Sequence, residues 1–135
     1  VQVDKTASGG NLTADVEGMS IYYNSDGTGY LLVSSQGTST VAVYTRDSSK
    51  TSINTYLGAF KVVANGAIDA TTGSDGLDVT NFPLGSPFPQ GLFVIHDASN
   101  SGGAASNHKL VLWENVAAAL NLLIDTIWDP RQVGL

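Results

Sequence analysis

Short apolar runs, each broken by turn-forming residues, recur along the whole of this chain. Ser20 to Tyr23, a turn at Asn24-Ser25-Asp26-Gly27, and Tyr30 to Ser34 predict a hairpin. Val41 to Arg46 and Tyr56 to Val63 extend it to four strands. A second group follows, with strands over Asp78 to Phe82, Leu92 to Ile95 and Lys109 to Trp113, and a proline-rich loop from Pro83 to Pro89. One short C-terminal helix is predicted over Glu114 to Ile124, with Val116, Leu120 and Leu123 on one face.

The two groups carry the same order of signals. Glu17-Gly18-Met19-Ser20-Ile21 aligns with Asp75-Gly76-Leu77-Asp78-Val79, 58 residues later. Gly29-Tyr30-Leu31-Leu32-Val33 aligns with Gly91-Leu92-Phe93-Val94-Ile95, 62 residues later. Four short strands recurring about every 60 residues is the pattern of propeller blades, and a parallel α/β sheet would need alternating helices that are missing. The fold class is therefore all-β, with two antiparallel sheets of about four strands packed as neighbouring blades. A propeller closes with roughly 4–8 blades, and this chain supplies about two. It is expected to be a fragment, or to complete its ring with other chains, because a partial repeat array leaves sheet faces uncovered.

Composition narrows the function. The chain has 135 residues, room for one domain, and its 15 glycines accompany Thr, Ser, Val, Tyr and Asn, which favour strands and tight turns. Formal net charge is -6, with no Lys or Arg cluster of the kind that neutralises nucleic-acid phosphates, so nucleic acid is not an expected partner. The longest apolar stretch, Val116 to Ile124, is interrupted by Asn121 and is too short to span a bilayer, so no membrane partner is expected either. There is no cysteine, which excludes disulfides and thiolate metal sites. The start, Val1-Gln2-Val3-Asp4-Lys5, reads as a processed or cut end, and Asn11-Leu12-Thr13 is a short glycosylation pattern.

The acids are unevenly spread. From Val62 to His108 there is no Lys or Arg, yet Asp69, Asp75, Asp78 and Asp97 fall there. Asp15 and Glu17 occupy in the first unit the place of Gly73 and Asp75 in the second. Equivalent strand starts of neighbouring blades face one another, so Asp15, Glu17 and Asp75 are expected to gather at one mouth of a channel. Carboxylates that close repel unless protonated or bridged by cations, and oxygen ligands without His or Cys suit calcium or magnesium. Asp26 is read as a turn residue, His96 and His108 as structural, and Trp113 and Trp128 as packing residues. No P-loop, HExxH helix, GxSxG elbow or EF-hand loop is present.

Several of these segments together resemble the β-propeller phytases. They are Asp15-Val16-Glu17-Gly18-Met19-Ser20-Ile21-Tyr22-Tyr23, Gly29-Tyr30-Leu31-Leu32-Val33-Ser34-Ser35-Gln36-Gly37 and Ser74-Asp75-Gly76-Leu77-Asp78-Val79. Gly91-Leu92-Phe93-Val94, Val111-Leu112-Trp113-Glu114 and Asp129-Pro130-Arg131 continue the likeness in order. The resemblance implies the C-terminal portion, residues 1–135 here, of a secreted, six-bladed, calcium-dependent phosphatase that hydrolyses phosphomonoesters of inositol phosphates such as phytate. It implies that Asp15, Glu17 and Asp75 are active-site calcium ligands at the channel mouth. Gln36 and Asp69 are implied as further calcium ligands, Asp69 in a structural role, and Asp97 as an acid in a loop that binds a structural ion.

Other family features are missing here: an N-terminal aspartate pair, the Lys and Arg residues that grip phosphates, and the mid-chain acids that complete the calcium cluster. None of Lys5, Arg46, Lys50, Lys61, Lys109 and Arg131 matches the missing bases. The chain alone is therefore expected to bind calcium without turning over substrate. The alternative is a non-enzymatic, propeller-derived calcium-binding module with a structural or assembly role.

Overall fold

A computed structural model describes residues 2–46, 54–103, 105–127 and 129. Lys50, Trp128, Pro130 and Arg131, named above, lie outside the described residues. The strands are β1 (Met19–Tyr23), β2 (Gly29–Ser35), β3 (Thr40–Arg46), β4 (Tyr56–Phe60), β5 (Leu77–Thr80), β6 (Leu92–Asp97) and β7 (Asn107–Leu112), followed by helix α1 (Trp113–Leu120). They form two antiparallel sheets, one in the order β1-β2-β3-β4 and one in the order β5-β6-β7. Among the described residues no helix is long and apolar enough to cross a membrane.

The second sheet has three strands rather than about four. After β7 the chain turns directly into α1 and sends Trp113 into the core. The helix is also shorter than predicted. Asn121 adopts a left-handed conformation, and its amide and that of Leu122 both reach back to the Ala117 carbonyl, which closes the helix at Leu120. Leu123 consequently leaves the apolar face and is 65% exposed. Tyrosine hydroxyls then hold the following segment. The Tyr30 hydroxyl accepts from Leu123 N–H at 2.8 Å, and the Tyr22 hydroxyl accepts from Asp125 N–H at 2.8 Å.

One core lies between the two sheets. Tyr22, Tyr30, Leu32, Val41 and Val43 from the first sheet meet Phe93 and Ile95 from the second, and Trp113, Val116 and Ala117 close it. The Tyr22 and Trp113 rings stack with centroids 4.0 Å apart and planes inclined by 14°. Val33, Ala42 and Tyr44 point to the opposite face of the first sheet, where Val3 and Leu12 of the N-terminal segment cover them. The Tyr44 hydroxyl donates to Asp4 Oδ2 at 2.6 Å and anchors that cover.

The sheets meet along β1 and β5. Ser20 Oγ donates to Asp78 Oδ1 at 2.6 Å, and Asn81 Nδ2 donates to the Tyr23 carbonyl at 2.8 Å. Both pairs are separated by 58 residues. A constant offset means that the two strands run side by side in the same direction and in equivalent register. The repeat seen in sequence is thus a repeat in space.

Candidate functional site

The segment before β1 carries Asp15 and Glu17, and the end of β2 fixes its path. The buried Ser34 hydroxyl accepts from the Gly18 amide at 2.8 Å and the Glu17 amide at 3.2 Å. The Ser35 hydroxyl accepts from the Thr13 amide at 2.6 Å, and the Gln36 amide donates to the Asp15 carbonyl at 2.9 Å. Gly37 follows because a Cβ there would lie 2.3 Å from the Ala14 carbonyl oxygen. The Ser34-Ser35-Gln36-Gly37 run is therefore the mount for the acidic segment. With the backbone so held, the Asp15 and Glu17 side chains are exposed and, among the described residues, make no hydrogen bond or ion pair.

Asp75 comes to the same place from the second unit. Gly18 packs so closely on it that a Cβ would lie 2.4 Å from the Asp75 carbonyl oxygen. The Gln36 side-chain amide donates to Asp75 Oδ1, and His96 Nδ1 lies 3.4 Å from Asp75 Oδ2. The Ser39 hydroxyl accepts from the Gly73 amide at 3.1 Å and adds a second tie between the units. The 15–18 segment, Gln36 and Asp75 thus form one rim at the adjoining starts of β1 and β5. Among the described residues no three His, Cys, Asp or Glu side chains are close enough to hold a metal ion. Carboxylates repel one another until a cation lies between them. Asp15, Glu17, Asp75 and Gln36 offer oxygen donors of the kind hard cations take, but the three carboxylates do not converge on one point in this structure.

Asp69 and Asp97 lie elsewhere, together, around Lys109. Its ammonium contacts Asp69 Oδ1 at 2.7 Å, Asn100 Oδ1 at 2.6 Å and Asp97 Oδ2 at 3.0 Å. Asp97 is fully buried, and Thr72 N–H donates to its Oδ1 at 2.9 Å. Burial alone would raise the pKa of Asp97, but the Thr72 amide and Lys109 outweigh it and hold the carboxyl below its ordinary value. Lys109, and then the Ser101 amide, lower that of Asp69, and Asp69 in turn raises that of Lys109. The two carboxylates are thus already neutralised in part by Lys109.

Two participants escaped the sequence reading. Lys109 is the first base after the long base-free run, and it lies on the same side of β7 as Val111, which packs on the core. That position was the available signal. His96 carried none, since its neighbour Asp75 is distant in sequence and near only through the pairing of Leu77 with Ile95.

A family model described as Phytase matches residues 1–134. The chain belongs to the phytase family. The resemblance read from the Asp15–Tyr23, Gly29–Gly37 and Ser74–Val79 segments is thereby borne out. Among curated relatives, a protein named 3-phytase from Bacillus subtilis (strain 168) is 42% identical over 127 residues. That alignment covers 92% of this phytase-family chain and 32% of the Bacillus protein, so the chain spans about a third of the length of this relative.

Proposed function

We propose that this chain is the C-terminal portion of a secreted, calcium-dependent phosphatase that releases phosphate from inositol phosphates such as phytate. In this reading the two sheets are adjacent blades of a six-bladed propeller, with β1 and β5 innermost. The observation that carries it is the convergence of Asp75, Gln36 and the Asp15–Gly18 segment at one rim, from two units that the chain separates by 58 residues. The name and identity of the Bacillus relative support the substrate class.

Asp15, Glu17 and Asp75 would be the calcium-holding carboxylates of this rim, with the Gln36 amide oxygen as a neutral ligand. Calcium bound there would supply Lewis acidity toward phosphoryl oxygens that an acidic chain otherwise lacks. The protein's part is positional. Ser34 and Ser35 fix the backbone that presents Asp15 and Glu17, and His96 lies against Asp75 on the side opposite Gln36. Asp69 and Asp97 would hold a structural ion in competition with the Lys109 ammonium that pairs with them here.

Bases that grip phosphate come from elsewhere in the full protein. Lys109 is held in its ion pairs, and Arg46 donates to the Gly27 carbonyl while lying 4.7 Å over the Tyr23 ring. Phosphate release from phytate by the full-length protein, assayed with a chelator and again after calcium is restored, tests the reading. Activity lost and then regained supports it. Turnover that ignores the chelator contradicts it, and calcium binding with no turnover favours the non-enzymatic module.

A further inference from the structure

Strands β6 and β7 place His96 directly opposite His108. Their rings stand 5.8 Å apart, centroid to centroid, with planes inclined by 65°. His108 is exposed, and the His96 side chain keeps 21% of its surface in solvent. His96 Nδ1, by contrast, is buried, makes no hydrogen bond, and lies 3.4 Å from Asp75 Oδ2. The other oxygen of Asp75 is held by Gln36, so the carboxylate is fixed from its far side.

A neutral imidazole carrying its proton on Nδ1 turns that N–H toward the carboxylate and leaves the Nε2 lone pair for a ligand. A carboxylate behind a histidine in this way orients the ring toward a metal. Among the described residues no hydrogen bond engages Nε2 of either ring. Two imidazoles bound to one tetrahedral ion by bonds of about 2.0–2.1 Å have ring centres roughly 5 Å apart. The observed spacing of 5.8 Å is close to that value.

We propose that His96 and His108 form a two-imidazole site for a borderline divalent transition metal such as Zn2+, with Asp75 as the outer carboxylate that orients His96. Imidazole nitrogen prefers such ions, whereas calcium takes oxygen, so this site differs from the rim in the ion it selects. Two protein ligands leave the remaining coordination positions to water or to a small ligand. The site shares Asp75 with the calcium rim proposed above, so zinc is added without calcium and the two sites are read separately.

Titration of the full chain with ZnCl2 alone, followed by the nitrogen-15 resonances of both imidazoles, tests the site. The expected result is one ion per chain, with the Nε2 resonances of His96 and His108 moving together. His108→Ala and His96→Gln should each weaken zinc binding at least tenfold. Asp75→Asn should weaken it about tenfold or more through loss of the outer carboxylate. Because His108 is exposed, His108→Ala should leave the zinc-free melting temperature unchanged, which separates ligand loss from misfolding. Movement of one imidazole alone, no movement of either, or unchanged affinity in both histidine variants overturns the site. Unchanged affinity in Asp75→Asn overturns the outer carboxylate's role.

Discussion

Ser20 and Asp78 lie 58 residues apart in the chain, yet the hydroxyl of one donates to the carboxylate of the other at 2.6 Å. They are equivalent positions of the two repeats, and their contact locks β1 and β5 in register. The carboxylate rim stands just before the start of these two strands, so its geometry depends on that register.

Ser20→Ala and Asp78→Ala should each lower stability by about 1 kcal/mol, the net worth of one such hydrogen bond. The double variant should cost less than the sum of the two, because the second change removes a bond already lost. Urea denaturation of the four proteins checks this. Full additivity would show that the pair carries no energy.

Lys109→Met should be strongly destabilising, since it leaves Asp97 buried without its counter-charge. A fall in melting temperature of at least about 5 °C is expected for a domain of this size. Adding Asp97→Asn to Lys109→Met should restore part of the loss. Differential scanning calorimetry of single and double variants measures both effects.

Asp4 gives a prediction about acid. The Tyr44 hydroxyl, with further hydrogen bonds from Asn11 and the Lys5 amide, lowers its pKa to about 2. A carboxyl with a depressed pKa stabilises the fold above its unfolded value, near 3.9, and that contribution disappears as pH falls through the folded value. Tyr44→Phe should therefore flatten the decline of melting temperature between about pH 4 and pH 2 relative to wild type. Parallel curves over that window would remove Asp4 from the acid response.

Calcium should raise the melting temperature in proportion to the logarithm of its concentration above the dissociation constant. A hundredfold excess contributes about 2.7 kcal/mol for one site that the unfolded chain lacks. A chelator should reverse the shift, and a melting curve indifferent to calcium would exclude folded-state binding.

Strand positions were legible in the sequence because most runs of apolar residues end at a turn former, as at Asn24-Ser25-Asp26-Gly27. All seven runs proved to be strands, with ends shifted by a few residues. The helix was misjudged at its end because Leu122 and Leu123 continue the apolar pattern past Asn121. There, the left-handed backbone and the tyrosine hydrogen bonds decide the path. On the rim, the sequence repeat alone makes Glu17 and Asp75 equivalent. The role of Ser34 and Ser35 as the mount was hidden, since their partners are backbone amides 16 to 22 residues away. The Lys109 contacts with Asp69 and Asp97 were hidden too, because the pairing of β7 with β6 brings that base to Asp97, and Asp69 reaches it from the loop before β5.

Glu17→Gln in the full-length protein tests the central claim most directly. The substitution keeps the size of the side chain and removes one negative charge from an exposed position, so the calcium-free fold should melt as the wild type does. Phosphate release from phytate at a fixed, wild-type-saturating calcium concentration should fall by about 10–100-fold, with weaker calcium binding alongside. Wild-type turnover by Glu17→Gln would contradict the assignment of this rim as the site of phosphate ester hydrolysis.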